Sequence, residues 1–181
     1  MIIAVGVGPI AIYLNKKPVQ HSILKDHKMS KVLLFNPKSA VAKHRVPNSI
    51  LNIAASIEGK YDWAIVDGNC DEDPLKTIED YVANKGYKYI GITVMPGPQL
   101  RGAIPVSKAI KAKYPYVTII WGGYFPSTQP KAVLESKYVD FIINGPGDHA
   151  FPLLIDALEN GTPFEFIKNI IYLGNGRCRD I

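Results

Sequence analysis

The chain has 181 residues, enough for one domain with a substantial core, and its 47% hydrophobic and 20% charged residues are an ordinary globular balance. Its net charge of +5 comes from lysines spread along the chain, as at Lys16, Lys60, Lys111 and Lys168, which describes a solvated basic surface and not a nucleic-acid-binding stripe. Cys70 and Cys178 lie far apart with no CxxC, in keeping with a reducing, cytoplasmic setting.

Residues 1–14 are almost wholly apolar, but the run is too short for a spanning helix and Pro9 interrupts it. It lacks the positive n-region of a secretory signal, so no membrane role is expected. Residues 15–30 are polar and without a period. Met29 stands directly before a strong strand, and the compact domain is expected to begin there. Residues 1–28 read equally as an appendage, an edge strand or a non-native upstream start.

From Lys31 strands and helices alternate. Val32–Phe35 is the first strand, ended by Asn36-Pro37, and a long loop over 38–46 follows. Pro47-Asn48-Ser49 opens a helix with Ile50, Leu51, Ala54 and Ile57 on one face, stopped by Gly59. Trp63–Val66 is the second strand. Pro74 suits the first turn of a helix that buries Leu75, Ile78 and Val82 and stops at Gly86. Tyr89–Val94 is the third strand, ended by Met95-Pro96-Gly97-Pro98. The next helix, to about Lys113, has Leu100, Ala103, Ile104 and Ile110 as its stripe, and Pro105 predicts a late start or a kink.

Val117–Trp121 is a short β-branched run suited to a strand covered on both faces. It ends at Gly122-Gly123, and Pro126 forbids more strand. A short helix is expected over Pro130–Leu134, and a fifth strand over Val139–Ile143, ended by Gly145-Pro146-Gly147. Asp148 would cap a helix that buries Phe151, Leu154, Ile155 and Leu158. Beyond 161 the run Ile167–Leu173 reads as another strand, and Gly174-Asn175-Gly176 as the turn of a hairpin cut short or a lead into a further domain. The organisation is thus 1–28 as appendage, 29–161 as the domain, and 162–181 as a terminal strand or hairpin. Five βα units in a row predict an α/β, Rossmann-like or flavodoxin-like, doubly wound parallel sheet of order 2-1-3-4-5.

Four glycine- or proline-bearing loops, 36–47, 95–102, 122–129 and 145–149, share the carboxyl edge of such a sheet, where ligands of open α/β folds bind. Gly122 and Gly123 leave backbone there without Cβ atoms. The first strand is not followed by G-x-G-x-x-G, and the chain has no P-loop and no G-x-S-x-G elbow. Asn36 and Val94 stand where a receiver domain needs acidic groups. The four histidines have no metal-binding spacing. His44 fits either a solvated loop or a ligand contact, and Thr93 either an ordinary strand residue or a hydroxyl for a ligand. No catalytic residue and no metal-ligand set is assigned.

The stretches KVLLFNP (31–37), RVP (45–47), AIVD (64–67), IGITVM (90–95), IWGGYFPSTQPKAVL (120–134) and VDFIINGPGD (139–148) together resemble the cobalamin (B12)-binding domain at the front of B12-dependent radical S-adenosylmethionine (SAM) enzymes. The likeness covers about three quarters of the chain, and its Gly-Gly-x-x-Pro element followed by Val-Asp and Gly-x-Gly is its more specific part. It implies cobalamin across the carboxyl edge, its nucleotide tail entering the sheet. The implied contacts are Pro37, Lys38, His44, Arg45, Thr93, Met95, Gly97, Gly122, Gly123, Tyr124, Pro126, Gly145 and Gly147.

The chain departs from the family at three places. D-x-H-x-x-G is absent, which implies cobalt without a protein histidine. The family's Gly-Glu-Gly-Glu is here Gly145-Pro146-Gly147-Asp148. No C-x-x-x-C-x-x-C is present, so no iron–sulfur cluster is expected in this chain. The implied role is a cobalamin-binding module of a methyltransferase-like radical SAM protein, not catalytic alone, with a radical SAM domain as its partner in cis or in trans. A nucleotide- or flavin-binding domain and a decayed interaction domain are the alternatives.

Overall fold

The computed structural model describes residues 29–39, 46–174 and 177–180; the readings made for residues 1–28, and for His44 and Arg45, fall outside them. Its elements in order are β1 (Lys31–Asn36), α1 (Asn48–Ile57), β2 (Asp62–Asp67), α2 (Pro74–Lys85), β3 (Tyr89–Thr93), α3 (Pro98–Lys113), β4 (Thr118–Gly122), α4 (Tyr124–Thr128), α5 (Pro130–Glu135), β5 (Phe141–Ile143), α6 (Ala150–Asn160), β6 (Ile170–Gly174) and β7 (Arg177–Asp180).

One sheet runs β2-β1-β3-β4-β5-β6-β7. The first five strands are parallel in the expected order, and the chain reverses between β1 and β3. β6 pairs antiparallel to β5, and β7 antiparallel to β6, so residues beyond 161 extend the same sheet.

The β-branched strands are buried because helices cover both faces. On one face Leu33, Phe35, Ile90, Ile119, Trp121 and Ile142 pack under α2, α3 and α5. Trp121 is 1% exposed, and its Nε1 donates to Ser107 Oγ at 3.0 Å, which removes the cost of burying an unpaired indole N–H. On the other face Val32, Leu34, Tyr89, Ile120 and Ile143 pack under α1 and α6.

Local structure departs from expectation at several points. α3 begins at Pro98, which sits in its first turn, and runs on through Pro105, so there is no late start. Leu51 is 40% exposed, while Ile50, Ala54 and Ile57 carry the buried face of α1. α6 has His149, not Asp148, at its N-cap, without a side-chain hydrogen bond; Asp148 instead faces His149 across 3.8 Å at the surface. Pro126 marks the end of the strand, as expected, and the short helix α4 that holds it is an addition to the sequence reading. As third residue of a short helix its missing N–H costs nothing. No helix among the described residues is long and apolar enough to cross a membrane.

Candidate functional site

The reversal of strand order between β1 and β3 leaves a crevice at the carboxyl edge. It deepens into a cavity of about 550 Å³ between α1, α6 and the sheet. Its floor follows from the strand register. Leu34 of β1 pairs with Gly91 of β3, and Gly91 with Ile120 of β4. One row nearer the edge, Thr93 pairs with Gly122, and Gly122 with Ile143 of β5. Two glycines lie on the covered face of adjacent strands, and a trench opens in the otherwise full layer at the second of them. At Gly91 the space is shared with Phe151, since a Cβ there would lie 2.9 Å from its Cε2. At Gly122 the space is open: a Cβ would meet only the Cβ of Ile143, at 3.9 Å.

Gly123 is needed for a different reason. Its φ of 97° is one that residues with a Cβ rarely adopt, and a Cβ would lie 3.0 Å from Val94 O and 3.1 Å from Val94 N. Val94 N donates to Gly122 O at 2.8 Å, and Phe125 N to Val94 O at 3.1 Å, so this close approach ties the end of β4 to the end of β3. Ser127 then links two edge loops. Its hydroxyl donates to Gly123 O at 2.9 Å and accepts from Gly145 N at 3.3 Å. Gly145 has φ 93°, and Pro146 beside it is exposed, so proline enters this loop without burying an unpaired group.

Polar side chains gather at the mouth. Ser49 Oγ lies 3.3 Å from Thr93 Oγ1 in a hydrogen bond. Ser49, Asn52 and Asp148 are exposed, whereas Thr93 is buried. The N-termini of α1 and α6 open on the same rim, and neither has a side-chain cap. Such ends carry partial positive charge and donors suited to an anion.

The remaining edge loops are held by a buried polar corner. Gln99 Nε2 donates to Asn36 Oδ1 at 2.9 Å, and Gln99 Oε1 accepts from Met95 N at 2.9 Å. Asn36 Nδ2 donates to Asp67 Oδ1 at 2.8 Å. Asp67 Oδ1 also accepts from Asn69 Nδ2, and Asn69 Oδ1 accepts from Ser39 N at 2.9 Å. Asn36 and Gln99 are 4% and 7% exposed, so every missing partner would carry a desolvation cost.

Of the residues implied by the resemblance, Thr93, Gly122, Gly123, Gly145 and Gly147 line the cavity. Met95, Gly97 and Tyr124 are exposed on the rim, Met95 and Tyr124 as apolar surface. Pro37 is buried against Gly102 of α3, with Lys38 exposed beside it; both belong to the polar corner and not to the cavity. Pro126 is buried within α4. Sequence reasoning passed over Ser49, Ile53, Gly91, Phe151 and Gln99. Only Gly91 carried a local signal, a glycine inside the strand Tyr-Ile-Gly-Ile-Thr, which marks a close approach.

Residues 40–155 match the family model of the B12 binding domain. The chain belongs to this family. A curated relative, an uncharacterised methyltransferase of Pyrococcus horikoshii, is 26% identical over 160 residues, which are 84% of this chain and 35% of the relative. Among solved structures, the radical SAM methyltransferase TsrM of Kitasatospora setae, with cobalamin and a [4Fe-4S] cluster bound, superposes with a TM-score of 0.73 at 21% identity over 84% of this chain and 31% of its own. The cobalamin-dependent radical SAM enzyme OxsB, with aqua-cobalamin bound, does so with 0.72 at 18% identity over 84% and 22%. At these identities the two structures share the fold. The chain thus spans about a third of the curated relative.

The residues of this B12-binding domain fit the group its family is named for. Cobalamin combines a flat corrin with a nucleotide arm that ends in an aromatic base. The open space over Gly122 would admit a flat ring against bare backbone, and the cavity's volume lies within the roughly 300–1,000 Å³ of small-molecule sites. The uncapped helix ends and the Ser49–Thr93 hydroxyls stand at the mouth, where a phosphate-bearing arm would cross. Among the described residues there is no group of three or more His, Cys, Asp or Glu placed to hold a metal ion.

Proposed function

We propose that this B12-binding domain holds cobalamin at the carboxyl edge of its sheet, with the nucleotide arm in the cavity between α1 and α6. The single observation that supports this most is the trench itself: Gly122 has room for a side chain yet has none. In this reading the base lies against Gly122, beside the Phe151 ring that covers Gly91. Ser49 and Thr93 hydrogen-bond the arm, and the ends of α1 and α6 favour its phosphate. Met95 and Tyr124 form apolar rim under the corrin, and Gly97, with His44 and Arg45 as the sequence implies, would add contacts. The Asn36–Gln99 corner holds the 36–39 and 95–99 loops in place.

No histidine of this chain is proposed to ligate cobalt. His149, on the rim, has a side chain 94% exposed, which suits solvent and not a shielded ligand. When bound, the corrin cobalt supplies methyl-transfer chemistry; the protein contributes binding, orientation and exclusion of water. We propose further that the corrin faces a radical SAM domain, in cis or in trans, within a methyltransferase-type protein. The domain would then bind without catalysing on its own, in a cytoplasmic setting consistent with its two widely spaced cysteines.

Reconstitution with hydroxocobalamin, desalting and an absorption spectrum of the protein fraction test the reading. Corrin bands eluting with folded protein are expected. Folded protein without corrin would refute cobalamin binding by this chain.

A further inference from the structure

The buried part of the cavity wall is nearly devoid of hydrogen-bonding groups. Its buried side chains include Leu34, Ile50, Ile120, Ile143 and Phe151, and the one buried polar side chain is Thr93. The Thr93 hydroxyl, within 3.3 Å of Ser49, sits at the last residue of β3, toward the mouth, placed to meet the arm and not the base. The other polar lining side chains, Ser49, Asn52 and Asp148, are exposed at the rim. The main chain of the floor offers nothing either, because β3, β4 and β5 are paired in the ladder and their N–H and C=O groups point in the plane of the sheet.

We propose that this cavity selects the lower base of the corrinoid, accepting an apolar aryl base such as dimethylbenzimidazole and discriminating against a purine. The inference rests on the reading that the nucleotide arm enters the cavity. A purine carries several ring nitrogens and, in adenine, an exocyclic amine, all of which are hydrated in water. In the trench they would lose water and gain no partner, and each unpaired buried group costs enough to weaken binding by about tenfold or more. The benzimidazole loses little on transfer, because its benzo ring and methyl groups meet Phe151, Ile53 and the glycine backbone. Ile53 is well placed to decide this: its Cδ1 lies 2.9 Å from where a Cβ on Gly147 would stand, so it closes the wall between α1 and the 145–149 loop.

The test is equilibrium dialysis of the whole chain against three corrinoids: cobalamin, its adeninyl analogue, and cobinamide, which lacks the nucleotide arm. Cobalamin is expected to bind at least tenfold more tightly than either of the others. Ile53→Asn, at a half-buried position, is expected to narrow the ratio between cobalamin and the adeninyl form. Ser49→Ala is expected to weaken both and leave their ratio unchanged. Equal affinity for the two bases would overturn the selectivity while leaving the proposed function standing. Cobinamide bound as tightly as cobalamin would overturn it by showing that the arm does not use the cavity. Retention of none of the three would remove the proposed function and this inference together.

Discussion

Gly122→Ala should raise stability and lower cobalamin affinity, a pair of opposite signs that a purely structural glycine would not give. Gly122 is the last residue of β4, with a backbone that needs no glycine, and the nearest atom to an added Cβ is 3.9 Å away. A methyl group therefore enters without clash, and replacing glycine in a strand recovers about 0.5–1 kcal/mol of backbone entropy. For a chain of this size that raises the midpoint of thermal unfolding by roughly 1–4 °C. The same methyl projects into the trench where the base should lie. Overpacking a fitted site costs about 1–3 kcal/mol, so the affinity should fall about 5- to 150-fold. Circular dichroism melts and absorbance titration with hydroxocobalamin measure the two effects on one preparation. An unchanged affinity would show that the arm does not lie against Gly122. A fall in stability would show that the space beside it is not open.

Gly123→Ala, one residue on, should do the reverse to stability. Its φ of 97° and the approach to Val94 backbone predict a loss of about 1–3 kcal/mol, visible as an earlier urea midpoint. Gln99→Leu leaves Asn36 Oδ1 and Met95 N without their partner and should cost about 1–3 kcal/mol; cobalamin affinity should fall too as the 36–39 and 95–99 loops loosen. At the amino edge, burial and then hydrogen bonds to Asp156 and Glu159 push Tyr61 and Tyr89 above the ordinary tyrosine range. Both then stay protonated in the fold at pH values where the unfolded chain ionises. The stability they confer is complete below about pH 10 and is lost as pH rises beyond it. In Tyr61→Phe/Tyr89→Phe, urea midpoints measured from pH 8 to 11 should fall less steeply, and cobalamin affinity at neutral pH should be unchanged.

The parallel part of the sheet was legible in the sequence because its strands are short β-branched runs between glycine and proline stops. Its order followed from the handedness of βα crossovers. Pairing beyond β5 was not legible, since Ile170–Gly174 could lie on any open edge, and only the packing of the finished sheet selects an antiparallel place beside β5. Proline misled once, at Pro105, where the helix begins seven residues earlier at Pro98 and runs on past it; Pro126 did end the strand, as its sequence position implies, but gave no hint of the short helix that holds it. For the site, Gly122, Gly123, Gly145 and Gly147 announced themselves by position, as loop glycines after strands. Gln99 did not. A glutamine in a first helical turn looks like surface, and its burial arises only when the fold brings it to Asn36, 63 residues earlier. Phe151 was read correctly as core, but its second role, filling the space over Gly91, depends on a contact between elements far apart in the chain.

The most direct measurement is a crystal structure of this chain grown with cobalamin. The account predicts density for the lower base between α1 and α6, lying against Gly122 and the Phe151 ring, with no side-chain nitrogen on cobalt. A base still attached to cobalt, with the cavity holding only water, would contradict it.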